Sequence, residues 1–299
     1  MQPHLTRRDV LLAGLAGTIA PAVTVDAAES KTQLLTEPPG DTYETHARGI
    51  RILPGRWRPH YPWEQIAWIS PPWASQDYLW FDFPEAIFTR QGMLFLSHAN
   101  PTVEPPRFPD LEAVPWVTTP MGLRYERRLP NGFRWRGELT RSRSHVDYEL
   151  EFINESDEAY SEIRLQTCLM LRAAQEFGPY TPDNKFVHVR DRGWMTFEEA
   201  RKLPLPLGKY RLGWRGGPEI SDLPVIITKS QEPNRMVAMT WFDSTYSLMQ
   251  NPPRPCMHAD PFVPDLPPGK RATIAGRIWF FEGSIEDFEA LIRRDLQAR

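Results

Sequence analysis

Apolar and polar side chains alternate with a period of two through residues 122–172, and this pattern most narrows the folds open to the chain. Leu123, Tyr125 and Arg127 alternate with Arg124, Glu126 and Arg128. Leu129-Pro130-Asn131-Gly132 follows, where Asn and Gly tolerate positive φ and supply a hairpin turn. The return run sets Phe133, Trp135 and Leu139 against Arg134, Arg136, Glu138 and Thr140. Val146, Tyr148, Leu150 and Phe152 then oppose His145, Asp147, Glu149 and Glu151. After a polar turn at 154–158, Ile163, Leu165, Leu169 and Leu171 oppose Arg164, Gln166, Cys168 and Arg172. Four such segments in succession predict an antiparallel meander with one buried face.

Proline extends the reading to the rest of the chain. The 31 prolines in 299 residues are about twice the usual share. They cluster at 54–72, 101–120, 204–206 and 252–268, between runs that read as strands. Because proline cannot donate to a sheet ladder, these clusters read as ordered loops. Residues 86–89 and 93–97 flank Arg90-Gln91-Gly92 as a further hairpin, and 225–229, 236–242 and 271–281 are strand candidates. Helices are expected only at 196–202 and after Ser284, where Phe288, Leu291 and Ile292 repeat at helical spacing. The expected class is all-β: a large antiparallel β-sandwich with a short internal helix and a C-terminal helix.

The N-terminus reads as an address. Thr6-Arg7-Arg8-Asp9-Val10-Leu11-Leu12 resembles a twin-arginine translocation signal, and Val25-Asp26-Ala27 resembles a signal-peptidase site. The apolar stretch from Val10 to Val25 is short, rich in Ala and Gly, and interrupted by Pro21, so it does not read as a spanning helix. A general secretory or uncleaved leader is the other reading. The expected organisation is a leader at 1–27, a Pro/Trp-rich segment at 28–74 packed on the sandwich, and the sandwich with its C-terminal helix at 75–299. Location is then periplasmic or secreted, with no membrane partner after cleavage. Losing the leader removes Arg7, Arg8, Asp9 and Asp26, so the formal charge stays at −3, and this near-neutral balance argues against nucleic acid. Cys168 and Cys256 read equally as a bridge in an oxidising compartment or as two buried thiols. The oligomeric state is not set by the sequence.

Short motifs carry a resemblance. Asn184-Lys185-Phe186, Leu266-Pro267-Pro268-Gly269-Lys270 before a long strand, and Phe281-Glu282-Gly283 resemble a group of exported bacterial proteins. The order of strands before a Pro-Gly turn and terminal strand is similar to the galactose-mutarotase-like supersandwich, over about residues 75–285. That superfamily includes sugar epimerases and the sandwich domains of polysaccharide lyases and glycoside hydrolases. The resemblance implies a carbohydrate partner. Mutarotases use a histidine acid and a carboxylate base on a concave sheet, and those two positions are not aligned here.

The candidate site residues come from the chain itself. Trp57, Trp63, Trp68, Trp73 and Trp80 crowd the N-terminal part, and an indole face stacks on the apolar face of a pyranose. Trp73 and Trp80 are therefore substrate-binding candidates, with rings that plug the ends of a sandwich as the alternative. Arg134, Arg136 and Arg164, with Glu138, line either a sugar-binding groove or an ordinary solvated face. His98 ends a strand just before Ala99-Asn100-Pro101, where sites are often built. Cys256, His258 and Asp260 are two apart, so an extended backbone points all three one way. They read as an acid–base unit, as half of a metal site with remote His98, or as a structural loop. In the enzyme reading His98 and His258 carry protons, and Asp260, Asp77 or Glu138 orients them or acts as base. In the other reading the protein is a non-catalytic module that binds glycans or partners. No Gly-rich phosphate loop, His-Glu-x-x-His helix or Gly-x-Ser-x-Gly elbow is present, and no cofactor is expected.

Overall fold

The alternating segment folds as its period requires. In the computed structural model, which describes residues 49–298 apart from 101, 205 and 214–216, the strands run in chain order as follows. The first five are β1 (Ile52–Gly55), β2 (Ile66–Ile69), β3 (Leu79–Thr89), β4 (Gly92–Leu96) and β5 (Val117–Thr119). The meander is β6 (Gly122–Arg128), β7 (Phe133–Arg141), β8 (His145–Asn154) and β9 (Ile163–Met170). After it come β10 (Lys185–Val189), β11 (Gly193–Thr196), β12 (Tyr210–Leu212) and β13 (Glu219–Lys229). The last four are β14 (Arg235–Thr240), β15 (Thr245–Asn251), β16 (Arg254–Val263) and β17 (Arg271–Glu282). Helix α1 (Phe197–Ala200), a 3-10 turn at Phe242–Ser244 and helix α2 (Ile285–Gln297) complete the set among the described residues. Every described element falls within residues 41–299, which cluster as one compact unit. The expected leader and its expected cleavage site lie outside the described residues.

Two layers are built from these strands. One runs β5-β6-β7-β8-β17-β14-β13-β10-β11, antiparallel throughout. The other contains β1-β2-β3-β9-β16-β15, also antiparallel, with β4 on β3. Short β12 pairs antiparallel with β13 and parallel with β15, so the hydrogen-bonded network passes from one layer to the other. Residues 52–55 and 66–69, within the Pro/Trp-rich stretch, are thus strands of the second layer.

Aromatic rings fill the space between the layers. Phe81 and Phe83 of β3 meet Tyr148 of β8 at centroid distances of 5.1 and 5.8 Å, and Phe95 of β4 meets Trp135 of β7 at 5.3 Å. The Tyr125 hydroxyl donates to the Phe83 carbonyl at 2.6 Å, which satisfies a polar tip inside the core. The hairpin between β6 and β7 closes at Gly132 with φ +95°, the left-handed conformation that glycine adopts without a Cβ penalty. Both helices start as the sequence predicts. Thr196 and Glu199 form a reciprocal capping box on α1, and the Ser284 hydroxyl accepts the Asp287 amide on α2. Phe288 and Ile292 of α2 are buried in a satellite cluster with Trp279 and Phe242.

Candidate functional site

The chemistry gathers on the face of the second layer turned away from this core. Phe81, Leu169, Met257 and Ala259 point into the core. Their neighbours along the strands, Asp82, Cys168, Met170, Cys256 and His258, therefore point the other way. The register pairs Asp82 with Cys168 and Met170 with Cys256, and its continuation along β9 and β16 brings His258 beside Cys168. Three strands thus bring a carboxylate, two thiols and an imidazole together on one face.

An irregularity in β3 adds a fourth group. Residues three apart on a regular strand face opposite sides, so Glu85 should leave the cluster when Asp82 joins it. The β3–β9 register shifts between Asp82 and Ala86, around Pro84, which has no N–H for the ladder. Asp82, Glu85 and His98 consequently offer ligand atoms within 4.8 Å of one another. Glu85 stands between the two histidines: Oε1 is 3.8 Å from His98 Nε2 and Oε2 is 3.9 Å from His258 Nδ1.

The segment before β2 covers this face. Arg58 donates to Glu64 Oε2 at 2.9 Å and to Asp82 Oδ2 at 2.7 Å. Glu64 also accepts the Trp57 and Arg58 amides, both at 2.6 Å. The Ser97 hydroxyl donates to Asp82 Oδ2 at 2.7 Å and stands 3.1 Å from His98 Nδ1. When Ser97 gives its one proton to Asp82 it accepts from His98, an arrangement that puts the hydrogen on Nδ1 and leaves Nε2 as the basic nitrogen.

Burial sets the charge states. Asp82 and Glu85 are both pushed above the usual carboxylate range, chiefly by desolvation, with Arg58 pulling Asp82 back and His258 pulling Glu85 back. His98 falls to about 3 through burial and the nearby Arg58 and Arg254, so it is a neutral imidazole. Burial also opposes the charge on His258, but Cys256, then Asp260 and Glu85, lift it to about 9. Asp260 rises to about 7 by desolvation, against the pull of His258 and the Thr167 amide. Of the two thiols, Cys256 is held low by its hydrogen bond with Cys168, by His258 and by Lys185, while that same hydrogen bond and burial push Cys168 up.

His98 also lines a cavity of about 480 Å³. Its walls include Tyr61, Trp63, Leu96, Phe108 and Pro106, and Tyr61 stands edge-on to Trp63 with centroids 5.5 Å apart. The ionisable side chains on the wall are His98, Tyr61 and Asp110. This is an apolar, aromatic hollow with a neutral histidine on its wall.

The residues singled out in the sequence divide between this region and others. His98 and His258 converge on Glu85. Asp260 lies on the same face as His258, 3.9 Å from its Nδ1, and accepts the Thr167 amide at 3.2 Å. Asp77 lies in a loop and accepts the Gln175 amide at 2.8 Å. Glu138 is exposed on the outer face of the meander, opposite Arg124 and Glu149. Arg134 and Arg136 share that face, paired with Glu126, Glu155 and Glu151. Arg164 packs over the Tyr246 ring. Trp73 is buried against Phe177 and Phe280, with its N–H donated to Glu176 at 2.6 Å. Trp80 is half-buried against Cys168 and Cys256 and faces Trp57 at 5.7 Å. Cys168 and Cys256 are free and buried. The sequence reading missed Asp82, Glu85, Arg58 and Ser97. The available signal was the run Phe81-Asp82-Phe83-Pro84-Glu85-Ala86, where two acids and a proline interrupt an otherwise apolar strand.

Comparison with known proteins places the chain in no matching family model, and no curated protein matches it. Solved structures do match. An Escherichia coli K12 protein described as a candidate aldose 1-epimerase is similar at 11% identity and a TM-score of 0.41, over 79% of this chain and 100% of its own. A candidate kojibiose phosphorylase from the human microbiome is similar at 12% identity and 0.38, over 83% of this chain and 28% of its own. A protein from Synechocystis sp. PCC 6803 is similar at 9% identity and 0.38, over 78% and 97%.

Proposed function

We propose that this is an exported protein that performs acid–base chemistry on a carbohydrate bound in the aromatic hollow, with His98 as the proton carrier. The observation that carries this reading is the position of His98. It lies on the cavity wall while both ring nitrogens face buried carboxyl groups, Nδ1 through Ser97 to Asp82 and Nε2 towards Glu85. His98 is neutral and a weak base in the empty hollow, with Nδ1 held at Ser97, so its protonated form, reached when substrate and Glu85 stabilise the charge, is a strong proton donor. Glu85, raised towards its protonated form by burial, stands behind His98 as the group that can pass a proton to it. The 3.8 Å gap between them exceeds hydrogen-bond length, and catalytic contacts of this kind commonly tighten when substrate binds. Tyr61, Trp63 and Phe108 offer ring faces for the apolar side of a sugar.

The test is a panel of mono- and oligosaccharides offered to wild-type protein and His98→Gln, followed by NMR for epimerisation and by reducing-end release for cleavage. Turnover of at least one sugar is expected, with kcat/KM lower by about 10²–10⁴-fold in the variant and binding retained. Unchanged turnover in His98→Gln overturns the role of His98. Binding with no turnover by the wild type favours a non-catalytic glycan-binding module instead.

A further inference from the structure

Behind His98 lies a second group of residues that the acid–base reading does not use. The ligand atoms of Cys168, Cys256 and His258 all fall within 4.8 Å of one another, and the three side chains are buried. The geometry points to a metal centre for a thiophilic cation, Zn²⁺, held by the Sγ atoms of Cys168 and Cys256 and by His258 Nε2.

Three observations carry this assignment. The first is spacing. Tetrahedral Zn²⁺ with Zn–S near 2.3 Å and Zn–N near 2.05 Å separates sulfur from nitrogen by about 3.6 Å, and Cys256 Sγ stands 3.5 Å from His258 Nε2. A thiol–imidazole hydrogen bond has the same length, so the other two observations decide. The second is the far side of the ring. His258 Nδ1 has no hydrogen-bond partner although it is fully buried, and Asp260 Oδ1 and Glu85 Oε2 both stand 3.9 Å from it. Glu85 Oε2 is itself buried and unpartnered. A carboxylate behind the free nitrogen is the usual support of a metal-bound imidazole, fixing its tautomer and its direction. The third is access. A cysteine–histidine nucleophile would use the same pair, yet Cys256 and His258 are each 1% exposed, with Trp57 and Trp80 packed beside the thiols. Two soft thiolates and one imidazole select Zn²⁺ over hard cations, and three protein ligands leave one tetrahedral position for water or a further group. The strands make the site rigid, because Cys168 lies on β9 and the other two ligands on neighbouring β16.

The experiment uses the full protein, purified without chelator, with metal content measured by mass spectrometry and the metal-free form titrated with Zn²⁺ and Co²⁺. One equivalent is expected, with thiolate-to-cobalt charge-transfer bands in the Co²⁺ form. Cys168→Ser, Cys256→Ser and His258→Gln should each lose stoichiometric binding while circular dichroism stays that of a β protein. Asp260→Asn, which touches the ring and not the metal, should weaken binding by about 10–100-fold. Folded wild-type protein that binds neither ion overturns the proposal, as does a Cys168–Cys256 disulfide found on thiol titration. Retention of Cu⁺ with no binding of Zn²⁺ or Co²⁺ overturns the assignment to zinc. Rapid alkylation of Cys256 in protein that binds no metal would mark a nucleophile and also overturn it. None of these readouts involves sugar turnover, so they stand apart from the test of His98.

Discussion

Arg58 sets one positive charge against two carboxylates almost out of contact with water, Glu64 and Asp82. Removing one partner of a buried ion pair leaves the other uncompensated and costs about 3–5 kcal/mol. Arg58→Met is therefore expected to lower unfolding stability by about that much in urea, and Arg58→Met with Glu64→Gln and Asp82→Asn should recover part of the loss. His98 makes a separate prediction. Its folded pKa of about 3 lies below the unfolded value near 6.5, so the unfolded chain binds the extra proton first as pH falls. Stability attributable to His98 is complete above about pH 6.5 and declines towards pH 3, so His98→Gln should show a shallower acid decline in the same window. An NMR titration should find the His98 ring neutral at pH 5, and a midpoint near 6.5 would refute this. At this scale the sequence was only half legible. The two-residue spacing of Cys256, His258 and Asp260 was enough to place them on one face, because β16 is regular there. Glu85 was hidden, because its direction depends on a slip of the backbone rather than on its neighbours in sequence.

Among the elements, legibility follows exposure. Strands β6 to β8, and β9 as far as Gln166, were readable because one face reaches water, which enforces the polar half of the alternation. Strand β16 is buried on both faces over most of its length, and its prolines made residues 252–268 read as an ordered loop where the structure has a strand. Strands β1, β5 and β12 have four residues or fewer, too short to show a period. Helix α2 was legible from its cap and its apolar spacing together. Its first turn depends on Ser284, whose side chain accepts the Asp287 amide at 3.1 Å. Ser284→Ala should cost about 1 kcal/mol in thermal or urea unfolding, and no loss would mean that the helix is held by Phe288 and Ile292 alone.

For the whole molecule, the pairings join distant parts of the chain: Trp279 lies opposite His145, and Val263 opposite Ile163. Such long-range pairing makes folding slow and leaves strand edges open meanwhile. The proposed export of the folded protein suits that behaviour, and Arg7-Arg8 resembles the signal for such a route. Replacing Arg7 and Arg8 by Lys should leave precursor in the cytoplasm on fractionation, and normal export of that variant would overturn the twin-arginine route. The large scale was the most readable: alternation, proline punctuation and scarce helices were enough to indicate a sandwich. The site was not, since it joins β3, β9 and β16 with the covering segment around Arg58, and no local pattern records that meeting.

The slip around Pro84 also bears on ancestry. Between Asp82 and Ala86 β3 runs two residues longer than β9, and loss of those two would restore regular pairing, turn Glu85 to the face opposite Asp82 and leave His98 and His258 facing no common acid, with the sandwich otherwise intact. Substitutions at most surface positions would have no such effect. Among descendants of one sandwich ancestor, gaps and insertions at this point, more than the identity of the surrounding side chains, would separate lineages that keep the chemistry from those that keep only the shell.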